Sequence, residues 1–291
     1  LWVWYVRTWT GLTLRQDPRV SGLLAKGRDF SAGDKQDLMA AILELLRGVI
    51  PLHRDLLAAR SIDVSCSPMY HPILPLLVDT DSAKEAVPDI ALPGSGYGYP
   101  ADAYKQVEDG LALMSGLLNA PVRGMWPSEG SVSTPVLKML NANGVEWIAT
   151  DEKILFSSLP EGSGNRPQLL YTPWRCGDTA IFFRDQVLSD LPGFEYSRWE
   201  PEAAVSHFLG EIQKSAAASG LASPVVTIAM DGENAWEYYV HGGMKFVDLL
   251  YSTLAADDRF EVVSPLDVLE SDSGLPELPQ VAAGSWIGGD F

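Results

Sequence analysis

Cysteine is nearly absent from this 291-residue chain. Cys66 and Cys176 are the two present, too few for the disulfide framework of a small secreted scaffold, although a secreted enzyme held by its core remains compatible. Histidine is scarce too. His53, His71, His207 and His241 include no two at metal-motif spacing, so no metal is expected. Basic residues are outnumbered, 21 Lys and Arg against 38 Asp and Glu, for a net charge of −17. Such a chain repels phosphate backbones, which excludes nucleic acid as a partner and favours a neutral ligand. No run approaches the roughly 18 apolar residues of a membrane span, so no membrane partner is expected. The opening "LWVWYVRTW" carries neither an initiator Met nor a signal pattern and reads like the interior of a domain. A fragment is expected on that ground, so this N-terminus does not decide localisation, with cytoplasmic favoured over secreted.

What the chain does have is globular composition, 46% hydrophobic and 20% charged. Strands are predicted at 1–6, 61–67, 122–126, 145–150, 180–185 and 224–230, from short branched and aromatic runs. Helices are predicted over 31–60, with Ser31 or Asp34 as cap and Pro51 as a break or kink, and over 101–120, 134–144, 200–219 and 242–257. Pro68, Pro72 and Pro75 argue against a regular helix between 68 and 77, and 92–100, 157–179 and the tail 273–291 read as loop. Strands alternating with helices predict an α/β fold with a mostly parallel sheet, open or closed into a barrel.

In such folds ligands bind at the carboxyl ends of the strands. There the predicted strands place Tyr70 and His71, then Glu129, then Asp151 and Glu152, then Arg184 and Asp185, and last Asp231 and Glu233. Glu129 and Asp231, 102 positions apart, are each framed by tryptophan, Trp126 and Trp236. Indole faces stack on sugar rings, and glycoside hydrolysis needs two carboxylates, one to protonate the leaving oxygen and one to act at the anomeric carbon. Crowded carboxylates raise one another's pKa and keep one acid protonated near neutrality. Each residue has a plainer reading. Glu129 could cap the next helix, Asp231-Gly232 is a common turn, and the tryptophans could be core. His71 could be structural, Arg184 could pair locally with Asp185, and Asp63 could lie mid-strand facing a barrel mouth.

Three segments carry a more specific signal: "SIDVSCSPMYHPILPLL" (61–77), "GMWPSEGSVS" (124–133) and "MDGENAWEYY" (230–239). Together they resemble signature regions of glycoside hydrolase family 57, the retaining α-glucan-active enzymes. "WIATDEKIL" (147–155) and "IFFRDQVLSDLPGFEY" (181–196) also read like family sequence. "GSWIGGDF" (284–291) is similar to a segment preceding the helical region of amylase and amylopullulanase-like members. The resemblance implies Glu129 as nucleophile and Asp231 as general acid/base, with Trp126, Glu233 and Trp236 beside the substrate. It aligns Asp63 with a position usually Glu, and His71 falls in the matching segment. It also implies a distorted seven-stranded β/α barrel acting on an α-glucan. The family's first signature, a His-Gln-Pro, is absent, so the expectation is an incomplete barrel over 1–265, followed by the start of a C-terminal region over 266–291. A non-catalytic glucan-binding or inactive fragment is the main alternative, and a metal-dependent carbohydrate deacetylase a weaker one.

Overall fold

In the computed structural model, residues 12–233, 236–271, 274–287 and 289–291 are described. They build an α/β fold on a five-stranded sheet in the order β1-β2-β3-β5-β4. The strands are β1 Ser65–Cys66, β2 Gly124–Met125, β3 Trp147–Asp151, β4 Trp174–Cys176 and β5 Thr179–Arg184. β1, β2, β3 and β5 run parallel, and β4 pairs antiparallel with β5. The predicted alternation is therefore observed, and each parallel crossover carries helix.

Period-two alternation sorts the strand residues between two covered faces. Met125, Ile148, Ile181 and Phe183 join the main core with Val136, Leu137 and Leu140 of the helix Thr134–Ala142. Trp147, Ala180 and Phe182 pack on the other side with Val268 of the helix Pro265–Ser271. Every residue of β5 is buried, as expected of a parallel strand covered on both faces. A second cluster, built on Tyr196, Phe208 and Phe246, lies between the helices Pro201–Ser219 and Met244–Ala256.

Several expectations change. The described strands form an open sheet, not a closed ring of seven, and the first predicted strand (1–6) lies outside the described residues. The run 224–230 is not a strand: Thr227 makes one parallel bridge, to Arg184. The reason is competition for an edge, since β4 already pairs with β5 over residues 179–181 and leaves only the end of β5 open. The helix Ala32–Ala58 passes through Pro51 unbroken, opened by a reciprocal cap between Ser31 and Asp34. Its expected apolar stripe is half realised. Leu38 is buried, while Leu45 and Leu46 are exposed. A short helix, Leu74–Val78, forms where prolines argue against one, because Pro75 occupies the first turn, where its missing N–H costs nothing.

The Gly- and Pro-rich tail is tied to the sheet. Leu278 donates its backbone N–H to Arg175 and Gly284 exchanges backbone bonds with Val132, while Leu278 and Val281 enter the main core. Gly284 is required there, since a Cβ would lie 2.4 Å from the Gly289 carbonyl oxygen.

Gly124 marks a second close approach: a Cβ would stand 2.1 Å from the buried Trp147 ring. Gly124→Ala therefore overpacks the centre of the sheet and should cost about 1–3 kcal/mol in a denaturant melt; an unchanged midpoint would show that Trp147 is free to move.

Candidate active site

The carboxyl ends of the parallel strands collect the polar residues that the strand-end rule predicts. Beyond β2 the chain makes a one-turn 3₁₀ helix, Ser128–Gly130. Glu129 sits at its centre with φ 55°, a left-handed conformation that costs a non-glycine residue energy and is found where structure over-determines it. The surroundings supply that constraint. Thr150, on β3, donates to the Gly130 carbonyl at 2.6 Å, and Gly130 itself has φ 60° under the Trp126 ring. A Cβ at Gly130 would meet that ring at 3.3 Å.

The Glu129 side chain is held from two sides. His71 Nε2 lies 3.0 Å from Oε1 and Trp286 Nε1 lies 2.7 Å from Oε2; the Trp286 backbone N–H also donates to the Glu129 carbonyl, at 3.0 Å. An ionised carboxylate only accepts, so both ring nitrogens donate. The His71 hydrogen bond, then that of Trp286, hold the Glu129 carboxyl below the usual glutamate range, against a smaller opposing push from burial. Tyr70 and His71 are both left-handed, φ 62° and 57°, which turns the His71 ring toward β2.

The ends of β3 and β5 are joined by a buried ion pair. Asp151 and Arg184 are register partners, and Arg184 Nε reaches Asp151 Oδ2 at 2.8 Å with both side chains almost fully buried. Arg184 Nη1 also contacts Asp190 Oδ1 at 3.3 Å and the Ala229 carbonyl at 3.2 Å. Its guanidinium carbon stands 4.9 Å from the centre of the Trp286 ring. Asp185, the partner expected from sequence, instead caps the next helix through Leu188 N–H and accepts from the Tyr171 hydroxyl. Burial raises the Glu152 carboxyl, with a smaller opposing effect from the Gln186 N–H.

Asp231 and Trp286 line one cavity of about 280 Å³, together with Arg184, Asp190, Phe194 and Met230. Trp286 thus borders that cavity and bonds Glu129. From sequence, Trp286 figures only inside the family-like segment 284–291, with no place assigned to it in the site. Trp126 packs edge-on against it, ring centres 5.0 Å apart. Glu233 is exposed. Trp236 is packed away into the second cluster, against Tyr239 and Phe246. Asp63 lies before β1, at the amino end of the sheet. There its Oδ1 accepts from Val64 N–H, burial raises its carboxyl and Trp147 is its neighbour. Two residues of β1 are too few to carry it to the other end. A wider groove of about 700 Å³ lies along Met244–Ser252, where Lys245 is already paired with Glu202 at 2.7 Å. Among the described residues no cluster of His, Cys, Asp and Glu could hold a metal ion, and no helix is long and apolar enough to cross a membrane.

The sequence profile of Glycosyl hydrolase family 57 matches residues 4–281. The chain belongs to that family. Solved structures agree on the fold. The α-amylase AmyC of Thermotoga maritima is 14% identical, with a TM-score of 0.65 over 94% of this chain and 60% of its own. The family 57-type branching enzyme of Pyrococcus horikoshii is 15% identical, with a TM-score of 0.62 over 98% of this chain and 57% of its own. The 4-α-glucanotransferase of Thermococcus litoralis is 18% identical, with a TM-score of 0.61 over 86% of this chain and 34% of its own. This family 57 chain thus spans less than two thirds of each. No curated protein is significantly similar to it in sequence.

Two outcomes follow from the geometry. Asp151→Ala leaves the Arg184 charge buried without its closest partner and should destabilise the fold by about 3–5 kcal/mol in equilibrium unfolding; a loss below about 1 kcal/mol would mean water reaches the guanidinium. A depressed pKa keeps Glu129 ionised as pH falls below the ordinary glutamate midpoint of about 4.3. His71→Ala should therefore raise the Glu129 midpoint, read by ¹³C NMR of its carboxyl carbon, and an unmoved midpoint would remove His71 from the account.

Proposed function

We propose that this family 57 chain carries the catalytic centre of a retaining glycosidase or transglycosylase acting on α-glucans. The observation that supports it best is Glu129: a carboxylate at a strand end, in a strained turn, held ionised by two ring N–H donors, one of which is the indole that also borders the cavity Asp231 lines. Glu129 is the nucleophile. It attacks the anomeric carbon as Asp231 protonates the departing glycosidic oxygen, so the C–O bond breaks and a glycosyl ester forms on Glu129. Asp231 then takes the proton of a water or a sugar hydroxyl, whose oxygen displaces Glu129 with net retention. The chemistry needs no metal or organic cofactor.

The α-glucan substrate class draws on the family and on relatives described as α-amylase, branching enzyme and 4-α-glucanotransferase. A further structural neighbour, from Thermococcus kodakaraensis, is a branching enzyme in complex with glucose. The described sheet is read as an arc of a distorted seven-stranded barrel, and the run expected to begin a further region, 266–291, packs onto it through Val268, Leu278 and Val281. The Trp286 and Phe194 rings offer apolar faces for sugar on the cavity side. His71, Trp126 and Trp286 serve the nucleophile. Glu233, on the loop after Asp231, is the remaining candidate for a sugar hydroxyl.

Asp231→Asn should reduce turnover of malto-oligosaccharides about 10²–10⁴-fold, the usual contribution of a positioned acid/base, and Glu129→Gln should remove it with folding intact. Binding of malto-oligosaccharides by the wild type without turnover would instead identify a glucan-binding module.

A further inference from the structure

Both carboxylates of the proposed pair hang from structures that one side chain touches. Arg184 ends β5, and its backbone makes the single bridge that attaches Thr227 to the sheet. Its Nη1 then bonds the Ala229 carbonyl, two residues before Asp231, at 3.2 Å. On its other side the guanidinium lies 4.9 Å from the ring centre of Trp286, whose indole and backbone N–H groups hold Glu129 at 2.7 and 3.0 Å. The guanidinium is nearly buried and is itself fixed by Asp151 at 2.8 Å. A planar fork can bond in its plane and stack on its face at the same time, which an ammonium cannot.

We propose that Arg184 is a positioning residue that sets the spacing of the two reacting carboxylates, Glu129 through Trp286 and Asp231 through the Ala229 carbonyl. This rests on the reading of Glu129 and Asp231 as the catalytic pair. Backbone bridges already attach Thr227 to the end of β5 and Gly284 to Val132, and Ala229 N–H bonds the Ser189 hydroxyl, so what Arg184 adds is a side-chain contact shared by the two arms. Asp151 anchors the clamp to β3, the strand whose Thr150 also braces the Glu129 turn. One strand end thereby references both arms.

The test separates this clamp from ordinary structural support. Arg184→Lys keeps the charge and loses the fork; Trp286→Phe keeps a ring on the guanidinium and loses the N–H to Glu129. In ¹⁵N-labelled protein the Trp286 indole resonance, assigned by its disappearance in Trp286→Phe, follows Glu129 ionisation as pH is lowered. Arg184→Lys is expected to displace that resonance and raise its titration midpoint. It is also expected to lower kcat on malto-oligosaccharides on the order of 10²-fold with KM little changed, the scale of a misplaced reacting group. A resonance and midpoint equal to wild type overturn the proposal, as does a displaced resonance with kcat unaltered. If Arg184→Lys does not fold, Asp151→Asn decides, since it loosens the anchor of Arg184 without touching Glu129 or Trp286: the Trp286 resonance is displaced and kcat falls with the circular dichroism spectrum intact, or the proposal is wrong. The catalytic reading fails separately, if Glu129→Gln and Asp231→Asn turn over substrate like wild type.

Discussion

The buried pair of Arg184 and Asp151 is the constraint on which the site's geometry depends. These residues end two paired parallel strands, and their side chains meet where water scarcely reaches. Burying a charge is costly unless it is paired and its remaining donors are used. The guanidinium meets that demand by also engaging Asp190 and the Ala229 carbonyl and by lying against Trp286. Each of those partners belongs to a different segment beyond the sheet. The cost of leaving the charge unsatisfied is therefore what ties a helix end, an extended run and the tail to one strand end.

Glu129 shows the complementary device. Its left-handed backbone is unfavourable in isolation, and it persists because Thr150, Trp126 and the Trp286 backbone converge on the same turn. The conformation carries the carboxylate clear of the sheet, where His71 and Trp286 keep it ionised. Ring N–H donors make that acid a stable anion, and the same bonds leave it little freedom to turn away. Orientation and charge state come from one pair of contacts.

Much of this is legible in the amino-acid sequence. Parallel strands read from 145–150 and 180–185 place Asp151 and Arg184 correctly, because short branched runs buried on both faces have few alternatives. The strand-end rule then gathers His71 and Glu129 on one side; Asp231 borders the cavity there although the run before it is not a strand. What the rule cannot reach is contact between segments far apart in the chain. Trp286 bonds Glu129 across 157 positions, and its flanking glycines read as loop whatever they touch. Adjacency suggests Asp185 as the partner of Arg184, whereas the partner is Asp151, since neighbours in a strand turn their side chains to opposite faces while register aligns them. Asp63 misleads for a related reason: strand length depends on the partner strands, and β1 is only two residues long. Trp236 stands near Asp231 in sequence and packs away from it, where a second cluster offers it more apolar surface.

The central claim is that Glu129 forms the covalent bond to sugar, and one measurement addresses it directly. Incubation with a 5-fluoro-α-glucosyl fluoride, which forms a glycosyl-enzyme faster than it releases one, followed by proteolysis and mass spectrometry, locates the labelled residue. The account predicts a single glycosyl group on the peptide containing Glu129, and none in Glu129→Gln. A label on any other carboxylate, or steady turnover with no label at all, would contradict it.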